Sequence, residues 1–183
     1  MKRLLSSVAG LSAVLLTGCA STQGDDAAPP LPAGPATVTT DLRDPGGGVL
    51  ARAFLEEVGD SVRVRLEAVE LVQGAYGAHV HTTGRCDAPA FASAGPHWNP
   101  GGQQHGKDNP QGMHRGDLPN LLVGTDRRGS FEYTIPGASL SGQGPDVLLD
   151  ADGAAVVLHQ QADDFRTDPS GNSGARLACG VLG

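Results

Sequence analysis

The sequence predicts an all-β domain, an antiparallel sandwich or flattened barrel of about eight short strands. Three observations carry that prediction. Aromatic residues are scarce at 4% and glycine is abundant at 27 residues, a balance that favours many turns over long helices. Apolar and polar residues alternate over several short segments, and clusters of turn-forming residues separate those segments. At 183 residues the chain has room for one domain with a real core, plus appendages.

Residues 1–18 stand apart from that domain. A basic start (Lys2, Arg3), an apolar run over 4–16 and the small pair Thr17-Gly18 form a secretory signal, removed on export. The run is too short for a transmembrane helix. Leu16-Thr17-Gly18-Cys19 resembles the bacterial lipobox, which makes Cys19 the lipidated first residue of the mature chain and the anchor to the cell envelope. Without a lipid, Cys19 is an odd thiol in an oxidising compartment. Residues 19–35 are polar, proline-rich and aperiodic, as expected of a tether, so the folded domain spans 36–183.

Within the domain, 37–42 and 50–58 have strand character and flank the run Gly46-Gly47-Gly48. Segment 61–70 alternates most cleanly, with Val62, Val64, Leu66 and Ala68 on one face and Arg63, Arg65 and Glu67 on the other. Strands follow at 74–82, at 120–124 and 129–135 around a polar turn, at 147–149 and 154–159 around Asp150-Ala151-Asp152-Gly153, and at 175–181. Two stretches, 83–119 and 160–174, are too long for plain connections in a compact domain and are expected to be functional loops.

The chain carries a net charge of −7, and the signal takes two cations with it. Bulk charge therefore excludes nucleic acid as a partner, and an anionic substrate must be attracted locally. The chemistry lies in the histidines. Five of six, His79, His81, His97, His105 and His114, fall within 77–117, and His159 follows later. Imidazole is the commonest metal-binding side chain. In a strand, i and i+2 share a face, so His79 and His81 project together while Ala78 and Val80 enter the core. The same parity separates His159 from Val156 and Leu158. His105, His114 and Asp117, in glycine-rich sequence, form an N, N, O set suited to zinc but one ligand short of four. His79, His81 and His159 are one nitrogen short of a tetragonal copper(II) site. Only His97 remains, and if each of its ring nitrogens serves one metal, both sets are complete.

These motifs, GAHVHTTGRC, SAGPHWNP, the His97-His105-His114-Gly116-Asp117 spacing, HQQADD and GNSGARLACGV, closely resemble the signatures of copper-zinc superoxide dismutases of the secreted bacterial type, from about Ala36 to the C-terminus. The resemblance implies a Greek-key fold, copper held by His79, His81, His97 and His159, and zinc held by His97, His105, His114 and Asp117. His97 is then a bridging imidazolate, and Asp163 matches the carboxylate that links a copper ligand to a zinc ligand. Arg176 matches the arginine beside copper that docks superoxide. Cys86 and Cys179, the cysteines left once Cys19 is lipidated, form a disulfide in an oxidising compartment. The expected reaction is dismutation of superoxide to oxygen and hydrogen peroxide, with Arg176 and His97 catalytic. The competing reading is a non-catalytic copper- or zinc-binding lipoprotein on the same fold. The family includes monomers and dimers, so a homodimer is open, and the sequence marks no interface.

Overall fold

Alternation along the chain becomes sheet in the expected places. The structure is a computed structural model that describes residues 36–142 and 144–183; the signal, Cys19 and the whole tether lie outside the described residues. Nine strands form: β1 (Thr37–Arg43), β2 (Val49–Val58), β3 (Ser61–Ala68), β4 (Gly74–Tyr76), β5 (Ala78–His81), β6 (Leu121–Val123), β7 (Ser130–Pro136), β8 (Ala154–His159) and β9 (Arg176–Leu182). Seven of them make one antiparallel sheet in the order β5-β8-β9-β1-β2-β3-β7, and β4 pairs with β6. The non-sequential neighbours β3–β7 and β9–β1 are the crossings of a Greek key. Leu42, Leu55, Val64 and Leu66 from β1–β3 pack against Val80, Val156, Leu158 and Leu182 from the β5-β8-β9 half to form the core. In β3 the predicted faces hold, with Val62, Val64 and Leu66 fully buried.

Two elements differ from the sequence reading. The segment at 74–82 is interrupted at Gly77, so it forms two strands. A side chain there would start 2.9 Å from Cβ of Ser173, and the Gly77 amide bonds outward to the Gln161 carbonyl. Residues 147–149 form no strand. Their amides pair inside their own loop, Leu148 N–H to Ser139 O and Leu149 N–H to Leu140 O, with a single bridge between Ser139 and Val147.

Both long loops fold back onto β5. The first, between β5 and β6, contains one 3₁₀ turn at Ala92–Ala94 and is otherwise irregular. It touches β5 twice, through bridges His81 to His97 and His79 to Asp117. Three backbone bonds close a ring at this crossing, Val80 N–H to Gly116 O, Gly116 N–H to Trp98 O and Trp98 N–H to Val80 O, each 2.8 Å. The ring leaves no space at Gly116, where a Cβ would collide with the Val80 carbonyl and lie 3.1 Å from the backbone of Trp98.

Replacing Gly116→Ala is expected to destabilise the fold by about 1–3 kcal/mol, the usual cost of overpacking a site that cannot yield. The same change should reduce the metal retained after dialysis. Urea unfolding and metal analysis of the variant check both outcomes.

Candidate metal centre

All six histidines converge at the β5 edge. Four come from strands or their immediate partners: His79 and His81 on β5, His97 bridged to His81, and His159 at the end of β8. His105, His114 and Asp117 come from the rest of the first loop, and Asp163 from the second. All eight residues are buried. Among the described residues, two groups of potential ligand atoms each fit within 4.8 Å: His79, His81, His97 and His159, and His79, His97, His105 and Asp117.

The first group has the signature of a cation site. The imidazole N–H of His81 (Nδ1) donates to Gly95 O at 2.8 Å and that of His159 (Nδ1) to Gly174 O at 3.1 Å, while His79 donates from Nε2 to Asp163 Oδ2 at 2.7 Å. These bonds choose the tautomers. They leave lone pairs on His79 Nδ1, His81 Nε2 and His159 Nε2, and those three buried atoms have no hydrogen-bond partner. Buried acceptors without donors are costly unless something positive occupies the space between them.

In the second group, His79 stands where His114 was expected. The close contacts favour His114. Its Nδ1 lies 3.2 Å from Asp117 Oδ1 and 3.3 Å from His97 Nδ1, and Asp117 Oδ1 lies 2.9 Å from His97 Nδ1 and 3.0 Å from His105 Nδ1. Four ligands about 2.0 Å from a tetrahedral ion are about 3.3 Å apart. His79 stacks on His97 with ring centroids 3.9 Å apart, which accounts for its proximity, but its free nitrogen belongs to the first group. His97 is common to both groups, with Nδ1 toward Asp117 and the opposite ring nitrogen left for the other site.

Asp163 joins the groups from behind. Oδ2 accepts from His79 and Oδ1 from His105 Nε2 at 2.9 Å, and Asn120 clamps the Asp163 backbone by bonding both its N–H and its carbonyl. Asp117 also accepts the backbone N–H groups of Gly106 and His114, each at 3.0 Å. Electrostatics follow these partners. Burial first, then the neighbouring imidazoles, holds His79 down at about 3 despite its bond to Asp163. Burial likewise holds His159 at about 4 and keeps His81 and His97 below the ordinary histidine value. For His105, burial alone would lower the pKa, but bonds to Asp117 and Asp163 outweigh it and lift the value to about 9. Burial opposes charge on both carboxylates, yet their histidine partners hold them below the usual carboxylate range.

Arg176 begins β9 and pairs with His159 just past a bulge in the β8–β9 ladder. Its guanidinium donates to Phe91 O and Gly95 O, each at 2.6 Å, so Gly95 O accepts from His81 and Arg176 together. Arg176, His81, His97 and His159 line one cavity of about 920 Å³. Cys86 and Cys179 form the expected disulfide across 93 positions, and Phe91 packs in the same cluster of buried residues as Cys179. The carbonyls of Phe91, Gly95 and Gly174 and the Asn120 clamp escaped the sequence reading. Backbone acceptors leave no mark in a sequence, and Asn120 reads only as a polar residue before a strand.

A Greek-key sheet with two ligand groups sharing one imidazole defines a dinuclear metalloprotein. More narrowly, the chain belongs to the copper/zinc superoxide dismutase family, whose model matches residues 49–182. The superoxide dismutase-like protein YojM of Bacillus subtilis (strain 168) is 44% identical over 128 residues, which cover 69% of this chain and 65% of that relative. A copper-zinc superoxide dismutase of Aquifex aeolicus (strain VF5) is 40% identical over 139 residues, 74% of this chain and 80% of the relative. A crystal structure of a SOD-like protein from Bacillus subtilis matches with a TM-score of 0.74 at 38% identity, covering 79% of this chain and 97% of that one. The cofactors are copper and zinc, and both donor sets fit: unpartnered imidazole nitrogens for copper, a compact N and O cage for zinc.

The shifted histidines predict the pH profile of the metal-free protein. His79, His81, His97 and His159 are depressed, so they contribute stability above about pH 6.5 that is lost as pH falls toward 4 and 3, by up to about 1.4 kcal/mol per unit and group. His105 is raised, so its contribution is complete below about 6.5 and lost as pH climbs to 9. The urea midpoint of metal-free protein should therefore peak near pH 6.5 and fall on both sides; a midpoint level from pH 5 to 9 contradicts this.

Proposed function

We propose that this protein dismutates superoxide, with copper held by His79, His81, His97 and His159 and zinc by His97, His105, His114 and Asp117. The observation that carries the reading is the set of three buried, unpartnered imidazole nitrogens, two of them on rings, His81 and His159, that line the cavity holding Arg176. When bound, copper would supply one-electron redox chemistry between two superoxide ions, and zinc would supply none.

The chain's own residues supply the rest. Among the described residues Arg176 is the only charged side chain besides the imidazoles on the wall of that cavity, so in an acidic protein it attracts the anion locally. Its two carbonyl partners hold the guanidinium in place before substrate arrives, which removes an ordering cost from binding. His97, held through Nδ1 on the Asp117 side, has its other ring nitrogen available to take a proton and give it to the reduced oxygen; water supplies the second proton. The products balance as one oxygen and one hydrogen peroxide from two superoxide ions and two protons. Asp163 and the Gly95 and Gly174 carbonyls keep the other rings in the tautomers that present lone pairs inward.

The disulfide fits an oxidising compartment, in keeping with export through the signal at 1–18 and anchoring by lipid on Cys19. Superoxide decay measured with metal-free, zinc-only and copper-plus-zinc protein tests the enzyme: activity should appear only with copper. Tight copper binding without activity would assign the protein to metal storage instead.

Arg176→Ala should retain both metals while lowering kcat/KM by about tenfold and weakening its dependence on ionic strength. An unchanged salt dependence would remove Arg176 from substrate capture. Metal content of the same preparations separates this effect from loss of the site.

A further inference from the structure

Two openings reach the histidine cluster, and they carry opposite charge. The first, described above, has Arg176 as its only charged wall residue besides the imidazoles. The second, about 520 Å³, reaches His97 and His114, and among the described residues its only charged side chain besides those imidazoles is Asp168. Trp98, Pro100 and Pro145 form uncharged parts of its wall.

Asp168 sits at the lip with 47% of its side chain exposed and Oδ1 3.9 Å from His114 Nε2. It does not hang free, because the same oxygen accepts the backbone N–H of His105 at 2.6 Å. The second loop thus presents a carboxylate fixed by the His105 backbone N–H and facing His114 at Nε2, the ring nitrogen not turned to Asp117. Within that group His105 and Asp117 are sealed, at 0% and 2% exposure, whereas His97 and His114 each retain 6%. The two more exposed members both line the second opening, and His97 lines the first as well.

A hydrated dication approaching the first opening meets a guanidinium. At the second it meets an oxygen ligand that can replace part of its water shell before the imidazoles engage. We propose that the second opening is the route by which zinc reaches and leaves its ligands, and that Asp168 is the carboxylate that first captures the ion. The proposal rests on the assignment of zinc to His97, His105, His114 and Asp117. It separates the traffic of the two sites: the cation enters by an acidic door, and the anionic substrate by a basic one.

Asp168→Asn is the informative change, because its amide oxygen keeps the bond from the His105 amide and only the charge is lost. Cobalt(II), whose visible absorption reports tetrahedral coordination, is mixed by stopped flow with the full-length, metal-free, disulfide-intact chain. Zinc release from the copper- and zinc-loaded protein into excess chelator is followed in parallel, and Asp126→Asn, in the turn between β6 and β7, controls for net charge.

A residue on the route lowers entry and exit together. Asp168→Asn should therefore slow uptake and release by the same factor, roughly three- to tenfold at low salt and less at high salt, with affinity and spectrum unchanged. Asp126→Asn should change neither rate. Uptake at the wild-type rate overturns the route, as does faster release with weaker affinity, which would make Asp168 a positioning residue for His105 and His114. Absence of a tetrahedral cobalt spectrum in the wild type would instead overturn the zinc assignment, and the route with it.

Discussion

The ring of three backbone hydrogen bonds among Val80, Trp98 and Gly116 is the contact on which the metal centre depends. Each member is the sequence neighbour of a ligand: Val80 stands between His79 and His81, Trp98 follows His97, and Gly116 precedes Asp117. Three stretches of chain that are distant in sequence are locked at peptide level before any imidazole is placed. The rings then inherit their positions from backbone, which is stiffer than side chains. On its other edge β5 pairs residue for residue with Ala155, Val156, Val157 and Leu158 of β8, so the crossing is braced by the sheet and His159 arrives one residue beyond it. A side chain at Gly116 would therefore have to displace the backbone of Val80 and Trp98, and with it the histidines next to them.

The second layer of control is the choice of proton. A neutral imidazole offers one lone pair, and the partner on its other nitrogen decides where that lone pair points. Backbone carbonyls make the choice for His81 and His159, and Asp163 makes it for His79. Asp163 also bonds His105, so one carboxylate orients a member of each ligand group. Its own backbone is held by Asn120 at the entry to β6, which extends the scaffold of the site into the small β4–β6 sheet.

Much of this was legible in the sequence because strand parity is a strict rule. The i, i+2 argument that paired His79 with His81 needed only an extended backbone, and β5 supplies one. For His159 the argument worked although its premise was incomplete. Every residue of β8 is buried, yet Val156 and Leu158 enter the main core while Ala155 and Val157 join the cluster around Cys179. The break at Gly77 was not legible, because the Gly77 peptide bonds to Gln161 and His159, more than eighty positions away. The segment 147–149 was apolar enough for a strand but had no partner strand to meet. Asp168 carried no signal either: its meaning lies in a 3.9 Å approach to His114 that only the docking of one loop on the other creates.

The shared acceptor at Gly95 has a consequence of a different kind. Its oxygen takes one bond from His81 and one from Arg176, so a shift of that single peptide carries the ligand and the guanidinium in the same direction. The loop on which Gly95 sits is irregular and free of ladder pairing beyond a few bonds. Bonded to one oxygen, the His81 ring and the Arg176 guanidinium are set against each other like the two jaws of a caliper on one pivot.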